Sequence, residues 1–83
     1  MKGVIELIGP QQCMIGVKTS TGDYSVLELL GGYSPELGDV IKGALENHAG
    51  EEVYNVTQQE KWDVYIQATQ TSKAGAWDLV SEH

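Results

Sequence analysis

Residues 12 to 30 run Gln12-Cys13-Met14-Ile15-Gly16-Val17-Lys18-Thr19, then Ser20-Thr21-Gly22-Asp23, then Tyr24-Ser25-Val26-Leu27-Glu28-Leu29-Leu30. The first segment sets Cys13, Ile15 and Val17 against Gln12, Met14, Gly16 and Lys18, the period-two alternation of a half-buried strand. The four residues after it are all turn formers, so Tyr24 to Leu30 is expected to fold back as the second arm of a hairpin. A helix competes for that arm, because Ser25-Val26-Leu27-Glu28 fits a capping box and Gly31-Gly32 fits a stop signal. About one and a half helical turns is marginal in water, whereas a strand of this length is ordinary, and the strand is preferred.

Working outward, Lys2 to Ile8 forms a first strand closed by Gly9-Pro10. On the other side, Ser34-Pro35-Glu36-Leu37 combines a capping Ser with Pro at a first helical position, which predicts a short helical turn. Further strands are expected over Asp39 to Leu45, Glu52 to Thr57 and Lys61 to Thr69, separated by Asn47-His48-Ala49-Gly50 and Gln58-Gln59-Glu60. The last places Trp62, Val64, Ile66 and Ala68 on one face and Asp63, Tyr65 and Gln67 on the other. About six short strands, with Gly3, Gly16 and Gly43 inside three of them, predict an all-β fold: a small, closed or partly open antiparallel β-barrel forming one domain over residues 1–83. From Ser72 onward, helix, strand and irregular structure all remain open. Gly75 weakens a helix by about 1 kcal/mol relative to Ala and tips the expectation to an irregular cap with Trp77 closing the barrel end.

Leu37-Gly38-Asp39-Val40-Ile41-Lys42-Gly43 resembles the strand start of OB-fold and ribosomal S1-like barrels, with a Gly-Asp step, two aliphatics and a second Gly, here following a three-strand meander. The resemblance implies an OB-like architecture and, in many such proteins, binding of single-stranded nucleic acid or oligosaccharide across strands 2 and 3. On those two stretches the only aromatic is Tyr24 and the only base is Lys18, where stacking rings interleaved with several basic residues are needed.

Composition narrows the function further. Twelve acids against five lysines give a formal net charge of −7, and arginine is absent. Guanidinium is the preferred bidentate partner of phosphate, so its absence weighs against nucleic acid more than the net charge does. Cys13 is the one cysteine, which excludes an intrachain disulfide and is expected to serve as a small hydrophobe. The start Met1-Lys2-Gly3-Val4-Ile5-Glu6 breaks its apolar run too early for a secretory signal, no stretch approaches a membrane span, and a cytoplasmic protein is expected.

Catalytic constellations are not expected. His48 and His83 with Glu46, Glu51 and Glu52 lack a recognised metal spacing, so neither metal nor cofactor is assigned. Nothing places a base beside Cys13, Asp63 and Asp78 are an unremarkable pair among many acids, and Gly31-Gly32 lacks the residues of a phosphate loop. All six aromatics, Tyr24, Tyr33, Tyr54, Trp62, Tyr65 and Trp77, carry a polar tip, which suits interfaces. The first and third strands are apolar on both faces and need an outer cover, from the C-terminal tail or from a second copy. The expected function is therefore a non-enzymatic interaction module, binding a protein partner or itself as a homodimer. The alternative is an OB-like single-stranded nucleic-acid binder. Candidate surface residues are Lys18, Tyr24, Tyr54, Trp62 and Tyr65. The lysines discriminate: a polyanion binder must gather Lys18, Lys42 and Lys61 on one face, and scattering them counts against it.

Overall fold

A computed structural model describes residues 1–47 and 49–82. Six strands follow one another as β1 (Lys2–Ile8), β2 (Met14–Thr19), β3 (Tyr24–Leu29), β4 (Val40–Lys42), β5 (Gly50–Asn55) and β6 (Glu60–Thr71), and one helix, α1 (Lys73–Ser81), ends the chain. They close into a barrel in the order β1-β2-β3-β6-β5-β4, with β4 returning to β1 and every pairing antiparallel. The expected all-β barrel is what forms, with the hairpin at its start in register from Lys18 opposite Tyr24 to Met14 opposite Glu28.

Inward residues of all six strands make one core: Ile5, Ile15, Val17, Leu27, Leu29, Ile41, Val53, Trp62, Val64 and Ile66, joined by Leu45 from the loop after β4. Gly3 sits in this wall because a Cβ there would lie 2.9 Å from the Lys18 carbonyl oxygen and closer still to Val17. On β1 the inside-outside alternation is not continuous. Ile5 pairs with Val17 but Leu7 with Gly16, so Glu6 is an extra residue and the strand changes phase there. The result differs from simple alternation: Val4 points out to solvent, Ile8 packs on the core, and Leu7 joins a second cluster outside the wall.

The long crossover from β3 to β4 is not helical at Ser34 to Leu37, contrary to expectation. Its polar groups are taken by more distant partners. The Ser34 carbonyl accepts from Gln58 Nε2 at 2.8 Å, and Tyr33 stacks on Trp62 with ring centroids 5.1 Å apart while its hydroxyl accepts the Asp63 N–H. Gly38 turns the chain at φ +92, and the buried Asp39 carboxylate then accepts from Asn55 Nδ2 at 2.9 Å, Gln58 Nε2 at 2.7 Å and the Glu36 N–H at 3.3 Å. The Gly-Asp step is thus a clamp: a left-handed turn that favours glycine, then a buried acceptor tying the crossover to the β5–β6 turn. Beyond it β4 stops at Lys42, because Gly43 takes φ +157 and its missing Cβ would meet Val53 at 2.9 Å. Strand β5 lies earlier than expected, at Gly50–Asn55, because residues 56–59 form the turn, with Gln59 at φ 57.

The C-terminal segment is a helix, which corrects the expectation of an irregular cap. Ser72 caps it, its hydroxyl accepting the Gly75 N–H at 3.1 Å, a contribution of about 1 kcal/mol. Glycine at position 75 reflects crowding, since a Cβ would stand 2.6 Å from Thr71 Oγ1. Ala76 and Val80, one turn apart, are fully buried against Met14, Tyr24 and Val26 on the outer faces of β2 and β3. Trp77, expected to close the barrel, lies on the open side of the helix and is 47% exposed. Among the described residues no helix is long and apolar enough to cross a membrane.

Candidate functional site

The outer wall of the barrel has two unlike sectors, and their boundary follows from α1. Where the helix lies, the wall of β2 and β3 is apolar and closed. Tyr24, a candidate surface residue by sequence, is only 6% exposed there, with its hydroxyl donating to Glu6 Oε1 at 2.6 Å. That hydrogen bond, then burial, then the charge of Glu6, push the Tyr24 pKa above its ordinary value. Trp62 is fully buried in the core, its indole N–H donating to Glu60. Neither ring is presented to a partner, which removes both from the surface set.

On the opposite sector the pairing registers bring together residues far apart in the chain. Lys2 lies opposite Lys42, Lys42 opposite Tyr54, and Tyr54 opposite Lys61. All four are exposed, so one row crosses β1, β4, β5 and β6. Adjacent strands are about 4.8 Å apart, which makes the row roughly 14 Å long. Beside it runs a second row: Lys18 opposite Val4, Val4 opposite Val40, and Val40 accepting the Val56 N–H at 2.8 Å. An open groove of about 350 Å³ lies among these residues, floored by Val4 and Val40 and flanked by Lys2 and Lys18. Four of the five lysines therefore lie along these two rows, Lys2, Lys18 and Lys42 on the neighbouring strands β1, β2 and β4 and Lys61 further round the ring on β6, and the fifth, Lys73, opens α1.

Two residues further along β5 and β6 the charge reverses. Glu52 lies opposite Asp63, both exposed, and the next pair is Gly50 opposite Tyr65. Each charged row thus sets like charges directly across from one another, Lys2 on Lys42 and Glu52 on Asp63, an arrangement that costs stability in an isolated sheet. Among the described residues neither ammonium group of the Lys2–Lys42 pair is in an ion pair or side-chain hydrogen bond.

Of the sequence candidates, Lys18 and Tyr54 fall on this face, while Tyr65 lies beyond the acidic row, opposite Glu28 of β3 as well as Gly50. Sequence reasoning missed Lys2, Lys42, Lys61, Val4 and Val40 as neighbours. The one available signal was parity: Lys61, Asp63 and Tyr65 alternate with Trp62 and Val64, and Glu52 and Tyr54 flank Val53, so each was bound to point outward. Among the described residues no three His, Cys, Asp or Glu side chains converge on a metal position, and His48 and His83 lie outside those residues. No protein-family model, no curated protein and no solved structure matches the chain.

Proposed function

We propose that this barrel is a non-catalytic binding module that takes an acidic, partly apolar protein segment on the outer face of β2, β1, β4 and β5. One observation carries the reading: in a chain of net charge −7, Lys2, Lys18 and Lys42, three of the five lysines, gather on adjacent strands around a valine-floored groove, with Tyr54 next in the row. Acids on a partner would meet Lys2, Lys18 and Lys42, and its aliphatic side chains would cover Val4 and Val40. Closure of the barrel supports side-chain recognition of this kind, since a closed sheet offers no edge for strand addition.

Single-stranded nucleic acid is the second reading, and the gathering of the lysines favours it. We read the barrel as OB-like from its opening meander and the Gly38-Asp39 start of β4. Two observations weigh the other way: α1 covers the outer face of strands 2 and 3, and the row of Glu52 and Asp63 lies about 7 Å from the lysines, within one Debye length. The test is an amide chemical-shift titration with a synthetic peptide of alternating Glu and Leu, its Lys counterpart, and a mixed-sequence single-stranded oligonucleotide. Shifts at Lys2, Val4, Lys18 and Val40 with the Glu peptide alone uphold the proposal. Silence with all three probes sinks it. Shifts with the oligonucleotide that collapse near about 0.2 M salt transfer the face to nucleic acid.

A further inference from the structure

Resting on that reading of the face, the charge pattern also points to a specific protein partner: we propose that the β5–β6 part of it pairs with a second copy of the chain. The two rows there are complementary to each other. Lys42, Tyr54 and Lys61 form one, Glu52 and Asp63 the other, and they run parallel about 7 Å apart. A two-fold axis lying in the contact plane, parallel to the rows and midway between them, sets each copy's basic row on the other's acidic row. The same rotation keeps β5 over β5 and β6 over β6, so that Tyr65, 42% exposed, comes about one strand spacing from the other copy's Val56, 38% exposed. An isologous contact of this kind answers the feature that the isolated barrel leaves costly, the like-charge pair of Glu52 and Asp63. It sets Lys61 on Asp63 and Tyr54 on Glu52, and leaves Lys42 one strand spacing from the other copy's Glu52.

A polyanion satisfies only half of this pattern, because it meets the lysines and is repelled by the adjacent acids. The wall is convex, so contact is confined to the β5–β6 hairpin and its immediate neighbours. The buried area then falls at the small end of specific interfaces, under about 1,200 Å², and the dimer is weak and concentration-dependent.

Sedimentation velocity on the full chain over a wide concentration range reads the association, with circular dichroism melting to certify that each variant is folded. Lys42→Glu with Lys61→Glu is expected to weaken self-association more than about tenfold, and Glu52→Lys with Asp63→Lys to do the same. Mixing the two double variants restores a dimer, because each then carries one unbroken sign along both rows. Lys73→Glu, on α1 and outside both the contact and the groove, leaves association within about twofold of the parent. A parent chain that stays monomeric throughout overturns the pairing, as does failure of the mixed variants to associate. A monomeric chain whose Lys42 and Lys61 amides shift on adding the oligonucleotide overturns it in favour of a polyanion. The wider reading of the face fails separately: the Lys2 and Lys18 groove is tested by the Glu-Leu peptide, and that result is independent of whether β5–β6 self-associates.

Discussion

The outer wall under α1 and the outer wall across β1, β4, β5 and β6 belong to the same barrel and are treated in opposite ways. Under the helix, Met14, Tyr24 and Val26 are buried by Ala76 and Val80, and the chain supplies its own cover. Across the other sector Val4, Tyr54 and Val56, each 38% exposed, remain uncovered among charged neighbours. The apolar outer faces of the first and third strands call for either a tail or a second copy as cover, and the tail takes that place on β3 and at Leu7 of β1 but not at Val4. What is left bare is the sector whose charges oppose each other. The comparison separates residues that hold the fold together from residues that cost the fold a little and that we propose serve a contact.

Breaking the covered sector has the largest expected effect. Val80→Asp puts a carboxylate among Met14, Tyr24 and Val26 with no partner, and a loss of about 3 kcal/mol or more is expected in urea denaturation followed by circular dichroism. In a domain this small that approaches the whole stability. Asp39→Ala comes next. It leaves donors from Asn55 and Gln58 facing a void, and about 1–3 kcal/mol is expected by the same measurement, with the crossover losing hydrogen-exchange protection first. Ser72→Ala removes the cap of α1 at a cost of about 1 kcal/mol.

The Tyr24–Glu6 hydrogen bond sharpens the boundary between the sectors through pH. Its phenol pKa is raised above the unfolded value of 10.0, so the folded state holds the proton more tightly. The associated stability is complete below pH 10.0 and is lost as pH climbs through the higher folded value. Ultraviolet difference titration should show one late tyrosine step that disappears in Tyr24→Phe and moves earlier in Glu6→Gln. The smallest effect belongs to the bare sector. Lys42→Glu replaces a Lys–Lys opposition by a Lys–Glu pair, so the isolated barrel should gain a few tenths of a kcal/mol while binding through the face declines. A variant that loses stability here would mean that the row is part of the folding machinery after all.

Much of the fold was legible because local signals agreed: the Ser20-Thr21-Gly22-Asp23 turn, the alternation through Lys61 to Thr69, and the glycines at the tight places of the wall. Two things were not. The helix was hidden because Gly75 is penalised as a generic helix residue, although at the third helical position it relieves a contact with Thr71 and follows a capping Ser72. The face was hidden because register between distant strands has no local signature. Lys2 and Lys42 become neighbours only once β4 closes on β1, and that pairing depends on the Asp39 clamp and on the phase change at Glu6. Tyr24 and Trp62 looked like surface aromatics by chemistry, and their hydrogen bonds to Glu6 and Glu60 are what let polar-tipped rings be buried.

The shortest strand has a consequence for how the molecule fails. β4 contributes three residues, yet it is the staple that joins β1 to β5 and turns a sheet into a ring. A fluctuation that frees Val40 to Lys42 converts the edgeless barrel into an open sheet with two raw strand borders, each able to recruit another chain's backbone. Lys2 and Lys42 sit at that seam on its outer face. Their mutual repulsion loosens the closed ring slightly, and when the seam opens the same two charges stand guard on the exposed borders, discouraging the stacking that leads to fibrils.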